Sequence, residues 1–585
     1  MKMTEDKSQP VAGTEHTVRT VKGSEALILS LLEEGVNQIF GYPGGAIMPV
    51  YDALYDYSDS MDHLLVRHEQ GAVHAAQGYA RATGKTGVVF VTSGPGATNL
   101  ITGISDDSID STPIVCRTAQ VNHAMLGTDA FQEIDVISIS SPVTKWNFQI
   151  SQAEEIQETI AKAFYIAHSG RPGPVLIDIT KNAQSELVDF AYKKCHYIRS
   201  YLPVPHMEEN QIVDAAHLID QATKPLALVG QGVIQGNAED ELRKFLDKTN
   251  IPAACTLLGL SAVPADYPNY VGMLGMHGNY GPNVLTNEAD LLISIGMRFD
   301  DRVTGNLSKY GQNAKVIHMD IDPAEINKNV KADVAVLGDV KETLPALTGK
   351  VKANNHTTWL EKFKEREKQE LQKLYLNKVK QDGQINMAEV ILALNKKEQD
   401  PILVTDVGQH QMAASRYFRY GQTRSNITSG GLGTMGFALP AAMGAQVANP
   451  GRPVVAIIGD GGIQMTVQEL ATIAQAQLPV KIILLNNAYL GMVRQWQELF
   501  FEKRYSFTPI SSPDYEKLGE SYGIQARTIK HSQDLSGALD QMFQTAGPYL
   551  LEVTVEQEYN VFPMVPPGAS VSDIILEPPE KQHSS

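Results

Sequence analysis

Cysteine is nearly absent from this sequence: Cys116, Cys195 and Cys255 are isolated and lack the short spacing of a metal site. That excludes a disulfide framework or a zinc centre as the organising device and fits a reducing compartment. Long apolar runs are missing as well. No stretch approaches the roughly 18 consecutive apolar residues that a membrane span needs, and the opening MKMTEDKSQPVAGTEH lacks the apolar core of a signal peptide. Positive charge is in deficit, with 49 Lys and Arg against 66 Asp and Glu, a formal net charge of −17. With no basic stripe and no interleaved aromatics, a nucleic-acid footprint is excluded. The expectation is a soluble cytoplasmic protein with no membrane and no nucleic-acid partner. Any anionic ligand must then be held by local features or by a metal, not by the global field.

What remains is a globular chain of 585 residues, 43% hydrophobic, too long for one core and sized for roughly three or four domains. Short apolar runs alternate with helical patterns along it. They include Gln38–Gly41, Leu64–Val66, Val88–Val91, Pro113–Val115 and Pro174–Ile177 first, then Leu226–Gly230, Leu291–Gly296 and Val316–Asp320, then Val454–Gly459 and Val480–Asn486. Such alternation specifies an α/β fold, here three doubly wound parallel-sheet domains. The expected divisions are a disordered N-terminal tail (1–16), a first domain (17–185), a linker (186–208), a central domain (209–347), a linker helix (348–385), a third domain (386–560) and a C-terminal tail (561–585).

The chemistry is densest between Val454 and Asn487. One apolar run ends in Gly459-Asp460-Gly461-Gly462 and a second in Asn486-Asn487, so two buried parallel strands each deliver a polar residue at their carboxyl ends. Thr466–Gln475 between them has helical character, and the crossover sets the two ends side by side, where open α/β sheets bind ligands. Asp460 and Asn487, 27 residues apart, offer the oxygens that Mg²⁺ accepts while a diphosphate completes its octahedron. Gly459, Gly461 and Gly462 leave room for phosphate oxygens to approach backbone N–H groups. As a bare pattern, Gly-Asp-Gly also fits an ordinary turn and Asn-Asn a strand-end cap. Glu69, where Leu64–Val66 runs into a helix, is either a ligand contact at a sheet corner or a charge favoured by the helix dipole.

Together these segments resemble the acetohydroxyacid (acetolactate) synthases among the thiamin-diphosphate enzymes. The resemblance rests on Gly41-Tyr42-Pro43-Gly44-Gly45-Ala46, His68-Glu69-Gln70-Gly71-Ala72, Thr92–Asn99, Gly431–Gly436, the Gly-Asp-Gly…Asn-Asn stretch and Gly491–Trp496, all in family order from about Val18 to Pro567. It implies a pyrimidine-binding domain first, an FAD-binding domain in the centre and a diphosphate-binding domain last. Two catalytic subunits share each site, so the chain is expected to form a homodimer or tetramer and to take a small regulatory subunit. Glu69 would hold the aminopyrimidine of thiamin diphosphate, and Met435, otherwise an ordinary core methionine, would prop the cofactor's bend. Asp460, Asn487 and the Tyr489 carbonyl would bind Mg²⁺, with Gln120 and Lys145 near the reacting centre. The implied reaction decarboxylates pyruvate on thiamin diphosphate and joins the two-carbon unit to a second 2-oxoacid, giving 2-acetolactate or 2-aceto-2-hydroxybutyrate.

Gly296-Met297-Arg298-Phe299-Asp300-Asp301-Arg302 is a surface ion-pair cluster by itself, but it resembles the signature of the family's FAD-containing biosynthetic members. On that resemblance Arg171, His277, Arg298, Asp320 and Asp339 line FAD, arginine suiting diphosphate and carboxylate suiting hydroxyls. Arg302 meets the acceptor carboxylate, while Gly45, Met492, Val493 and Trp496 shape the acceptor pocket; Trp496 also reads as a core aromatic. Two positions depart from the family pattern: Ala119 stands where glycine is expected, and the central cluster reads Gly230-Gln231-Gly232. A flavin-linked pyruvate oxidase shares most of these motifs. A non-catalytic regulator would have lost Glu69 or Asp460, and both are present.

Overall fold

The computed structural model describes residues 19–373, 384–397 and 399–577. The expected tail 1–16, the end of the helix expected over Trp359–Tyr375, and Pro578 and Pro579 lie outside them. After β1 (Arg19–Lys22), the first domain contains β2 (Gln38–Gly41), β3 (Asp62–Leu65), β4 (Gly87–Val91), β5 (Ile114–Gln120), β6 (Trp146–Ile150) and β7 (Val175–Thr180). β8 (Leu187–Phe190) returns to pair antiparallel with β1. The stretch 186–208, expected to be a plain connection, therefore carries a strand that ties it to the start of the domain.

The central domain contains β9 (Pro225–Val229), β10 (Ala253–Cys255), β11 (Tyr270–Met273), β12 (Leu291–Ile295), β13 (Lys315–Asp320) and β14 (Val334–Leu337). The third has β15 (Ile402–Thr405), β16 (Asn426–Thr428), β17 (Val454–Gly459), β18 (Lys481–Asn486), β19 (Gln525–Ile529) and β20 (Tyr549–Thr554). Within each domain the strands pair in parallel to form one six-stranded sheet. β4, β5, β7, β9, β12 and β17 are buried along their whole length, the signature of strands covered on both faces.

The first and third sheets share one strand order, β3-β2-β4-β5-β7-β6 and β16-β15-β17-β18-β20-β19. The central sheet differs: β11-β10-β9-β12-β13-β14 is the 3-2-1-4-5-6 order of dinucleotide-binding sheets. In each sheet the order reverses beside the first strand of the domain, which places a ligand crevice at the carboxyl ends there.

The first and third domains meet through the helices Glu69–Thr83 and Ala438–Ala448. They approach until a Cβ on Gly78 would collide with the Ala441 carbonyl, and one on Gly444 with the carbonyl of Ala75. The C-terminal tail caps the central domain: Val565 N–H donates to Met276 O (2.8 Å), and Asn287 donates to Ser570 Oγ (2.9 Å) and Ser572 Oγ (2.8 Å).

Candidate active site

Parallel register aligns Gly459 with Leu485, so Asp460 and Asn487 leave β17 and β18 side by side. The helix after β17 begins at Asp460 itself (Asp460–Met465), breaks, and resumes at Glu469–Gln475, earlier than the pattern from Thr466 indicated. Asp460 is buried, its Oδ2 has no hydrogen-bond partner, and desolvation pushes its pKa up to about 6. A buried acceptor without a donor is costly. A cation at this position would satisfy it. Asn487 is held by its own turn: Oδ1 accepts Tyr489 N–H (3.2 Å), and Nδ2 donates to Gln409 Oε1 (3.3 Å). Ala488 between them adopts φ +57, a left-handed conformation that turns Tyr489 back toward the site.

Among the described residues no three His, Cys, Asp or Glu cluster to hold a metal. An ion at Asp460 would draw its remaining ligands from amide, carbonyl and phosphate oxygens, as Mg²⁺ does. The cradle beside it is lined by glycine: a Cβ on Gly461 would meet Leu490 Cδ2 at 2.9 Å and Met435 Cε at 3.4 Å. The His410 ring stands over Gly459, with Cε1 2.8 Å from where a Cβ would be. Its Nε2 is buried without a partner, and burial lowers its pKa to about 4, leaving a neutral ring. His410 was not singled out from the sequence; its place after β15, at the sheet's switch point, is the signal that exposes it.

Glu69 opens its helix at the carboxyl end of β3 and accepts a hydrogen bond from Asn99 Nδ2 (2.9 Å). The backbone before it is gripped by the third domain of the same chain: buried Glu469 accepts Arg67 N–H on both oxygens (3.1 and 3.2 Å). Gly45 follows β2 and Gln120 ends β5, so Gly45, Glu69 and Gln120 share the carboxyl rim of the first sheet. The Gln120 amide is engaged, donating to Ile134 O (2.8 Å) and Asp178 (3.3 Å).

Lys145 must be corrected. It immediately precedes β6, its N–H donates to Pro174 O (2.9 Å), and β6 starts level with β7, so Lys145 lies on the amino rim, opposite Gln120. Its ammonium there donates to the Ile166 (2.6 Å) and Ser169 (2.8 Å) carbonyls and to Tyr201 (3.1 Å). The lysine that does follow a strand on the correct rim is Lys181, whose N–H donates to Val121 O (3.4 Å).

A cavity of about 860 Å³ opens between the three domains, and Arg171, His277, Arg298, Arg302, Asp320, Asp339, Met492 and Trp496 all line it. Half-exposed Val493 is on the same helix as Met492 and Trp496. The floor is the switch point of the central sheet, where Gly230 and Gly232 after β9 press against Gly296 after β12 too closely for a Cβ. Two features fit a flavin dinucleotide: this glycine-lined crevice, and the buried His277 Nδ1 with no partner. Burial, then Arg416 and Arg302, lowers the His277 pKa to about 3, so a neutral ring faces the cavity.

The charged groups divide. Arg171 is already paired with Asp322 (3.2 Å) and Glu325 (2.8 Å) and donates to Ser111 Oγ (2.9 Å). Arg298 is only loosely opposed by Asp300 at 3.7 Å, and Arg302 by Asp301 at 3.6 Å, which leaves them freer for an anion. Asp339 caps the helix Val340–Lys350 through Lys341 N–H (2.8 Å), and Asp320 accepts Asp322 N–H (2.9 Å).

Comparison with known proteins matches three family models along the chain: the N-terminal TPP binding domain of the thiamine pyrophosphate enzymes over 21–139, their central domain over 212–347 and their C-terminal TPP binding domain over 406–553. The acetolactate synthase isozyme 2 large subunit of Escherichia coli K12 is 49% identical over 95% of this chain and 99% of its own length. The acetolactate synthase large subunit of Porphyra purpurea is 42% identical over 97% of each. An acetolactate synthase of Mycobacterium bovis is 44% identical over 95% of this chain and 92% of its own.

Proposed function

The chain belongs to the acetolactate synthase large subunits of the thiamine-pyrophosphate enzymes, and from that premise we propose how its own residues build the reaction site. The activity is that of a thiamin-diphosphate-dependent acetolactate synthase, the first common step toward the branched-chain amino acids. It condenses two pyruvates to 2-acetolactate, or pyruvate with 2-oxobutyrate to 2-aceto-2-hydroxybutyrate, with loss of CO₂. When bound, thiamin diphosphate supplies the nucleophilic carbon and the electron sink for decarboxylation.

The site assignment is carried by the buried, unpartnered carboxylate oxygen of Asp460. Asp460, Asn487 Oδ1 and the Tyr489 carbonyl hold Mg²⁺. Gly459, Gly461 and Gly462 leave the room the diphosphate needs, with the His410 ring beside them. Glu69 holds a proton at the aminopyrimidine, a task a rim carboxylate suits because its hydrogen bond favours the reactive tautomer. Met435, in van der Waals reach of the glycine cradle, supports the bend. Gln120 shapes the rim and moves no proton.

Arg298, His277, Asp320 and Asp339, with the ion-paired Arg171, hold FAD in the central crevice, where its role is structural. Arg302 binds the acceptor carboxylate, and Gly45, Met492, Val493 and Trp496 bound the acceptor side chain. The resemblance to the family supports a site completed by a second copy: a homodimer at least, with tetramers and a small regulatory subunit as further associations. The setting is cytoplasmic.

The test is product identification from purified protein given pyruvate, thiamin diphosphate and Mg²⁺, with and without FAD. Acetolactate is expected, and oxygen or quinone consumption without it would replace this reading by a pyruvate oxidase. Glu69→Gln is expected to retain the cofactor but lose about 10²–10⁴-fold in turnover. Unchanged acetolactate formation by that variant removes Glu69 from its role.

A further inference from the structure

The loop that carries Met435 runs from Ser429 to Phe437 and contains Gly430, Gly431, Gly433 and Gly436. Gly433 and Gly436 take φ +73 and +85. So glycine-rich a segment is the loosest kind of backbone and has no intrinsic reason to hold one conformation. Its order comes from two sides.

Downstream, Asp406 of the same domain accepts Gly436 N–H (3.0 Å) and Ala438 N–H (3.2 Å). Upstream, the anchors come from the first domain. Asp110 accepts Gly430 N–H at 2.8 Å and Gly431 N–H at 2.7 Å, one on each oxygen. Arg81, buried, pairs with Asp110 at 2.8 Å and donates to Thr428 O at 2.6 Å. Asp106 Oδ1 accepts the Ser429 hydroxyl at 2.6 Å, and Ser429 Oγ in turn accepts Thr434 N–H at 2.8 Å. Gly431 sits where the three domains meet: a Cβ there would lie within 2.9 Å of Ile109, Asp110 and Arg298.

Met435 is thus bracketed. On one side Thr434 is tied through Ser429 to Asp106; on the other Gly436 is tied to Asp406. We propose that Asp106 is a positioning residue for Met435, acting across the domain boundary through the Ser429 hydroxyl, with Asp110 and Arg81 fixing the base of the same loop. The inference rests on the reading of Met435 as the support of the cofactor's bend. Burial first, and Asp110 second, push the Asp106 pKa up to about 6, and its Oδ2 has no partner. The groups facing it are Asp107, Asp110, Arg81, Gln77 and Ser429.

The experiment uses the full chain loaded with thiamin diphosphate and Mg²⁺. It follows exchange of the thiazolium C2 proton into D₂O by NMR after acid quench, beside the cofactor dissociation constant. Ser429→Ala removes a single oxygen and is expected to slow exchange about tenfold while cofactor affinity changes little, because a slightly misplaced support costs orientation more than binding. Asp106→Asn is expected to act in the same direction, and Ser429→Thr, which keeps the hydroxyl, to restore the rate. Met435→Ala is the reference. If it slows exchange and Ser429→Ala does not, the relay is wrong and the Met435 reading stands. If Met435→Ala itself leaves exchange intact, the Met435 reading falls and the relay falls with it.

Discussion

Arg117 is a buried cation of the first domain. It projects from β5 into the core, fully buried, with Nε and both Nη atoms unpartnered among the described residues. The Phe90 ring lies 5.8 Å from the guanidinium carbon. Burial lowers its pKa to about 9, so the group is still a cation at neutral pH and its desolvation is uncompensated. Arg117→Leu is therefore expected to stabilise the protein by roughly 1–4 kcal/mol, read as a higher unfolding midpoint in denaturant. A lower midpoint would mean that the guanidinium has a partner in the folded state.

Asp460 gives a pH prediction with the opposite logic. Its folded pKa of about 6 lies above the ordinary carboxylate value, so the metal-free protein gains a proton on folding between about pH 4 and 6, and Asp460 makes the fold less stable as pH rises through that window. Metal binding needs the ionised form. Mg²⁺ affinity, measured calorimetrically in the presence of thiamin diphosphate, should be level above about pH 6 and fall roughly tenfold per unit below it, and Asp460→Asn should remove most of the affinity. A binding curve that stays level down to pH 5 would exclude Asp460 as a ligand.

These residues also show what local sequence can reveal. Asp460 and Asn487 were legible because each ends an apolar run that could only be a buried strand. Lys145 was misplaced because it was set by family resemblance and not by the local pattern: Trp-Asn-Phe-Gln-Ile alternates apolar and polar residues as an edge strand does, and a strand starting right after the lysine sends it to the wrong rim. His410, Lys181 and Glu469 were invisible for another reason: their significance lies in partners that arrive through strand order, not through spacing.

Among the elements, the crossing of Glu69–Thr83 with Ala438–Ala448 has the strictest geometry. Within a helix, glycine to alanine ordinarily stabilises by up to about 1 kcal/mol. At Gly444 the sign should reverse. The new methyl would overlap the Ala75 carbonyl on the facing helix, where both backbones are buried and neither can retreat cheaply. Gly444→Ala is expected to destabilise by on the order of 3 kcal/mol, and Gly537→Ala, in an open helix with nothing within 4 Å, to be neutral or slightly stabilising. Comparison of the two midpoints checks it, and equal shifts would show that the crossing yields. Ala438–Ala448 is buried nearly all round, so its sequence carries no amphipathic stripe.

For the whole molecule, three α/β sheets were evident from the alternation of strand and helix patterns, but the strand orders were not. They matter because the first and third sheets repeat one order while the central sheet has the dinucleotide order, which sets the central domain apart from the two thiamine pyrophosphate binding domains. If Glu69 of one chain serves the cofactor held by Asp460 of another, two inactive variants should complement each other. A dimer of Glu69→Gln with Asp460→Asn has one site carrying both lesions and one carrying neither. Equal mixing with free exchange of subunits makes half of all dimers hybrids, so roughly a quarter of wild-type acetolactate formation should return. A site built within a single chain would regain nothing, because every site would keep one lesion. Dissociating and reassociating the mixed variants, then assaying acetolactate, decides between the two arrangements. The fraction regained also tests whether the two sites of a dimer work independently, since a hybrid whose intact site needs an active neighbour would return less than that share.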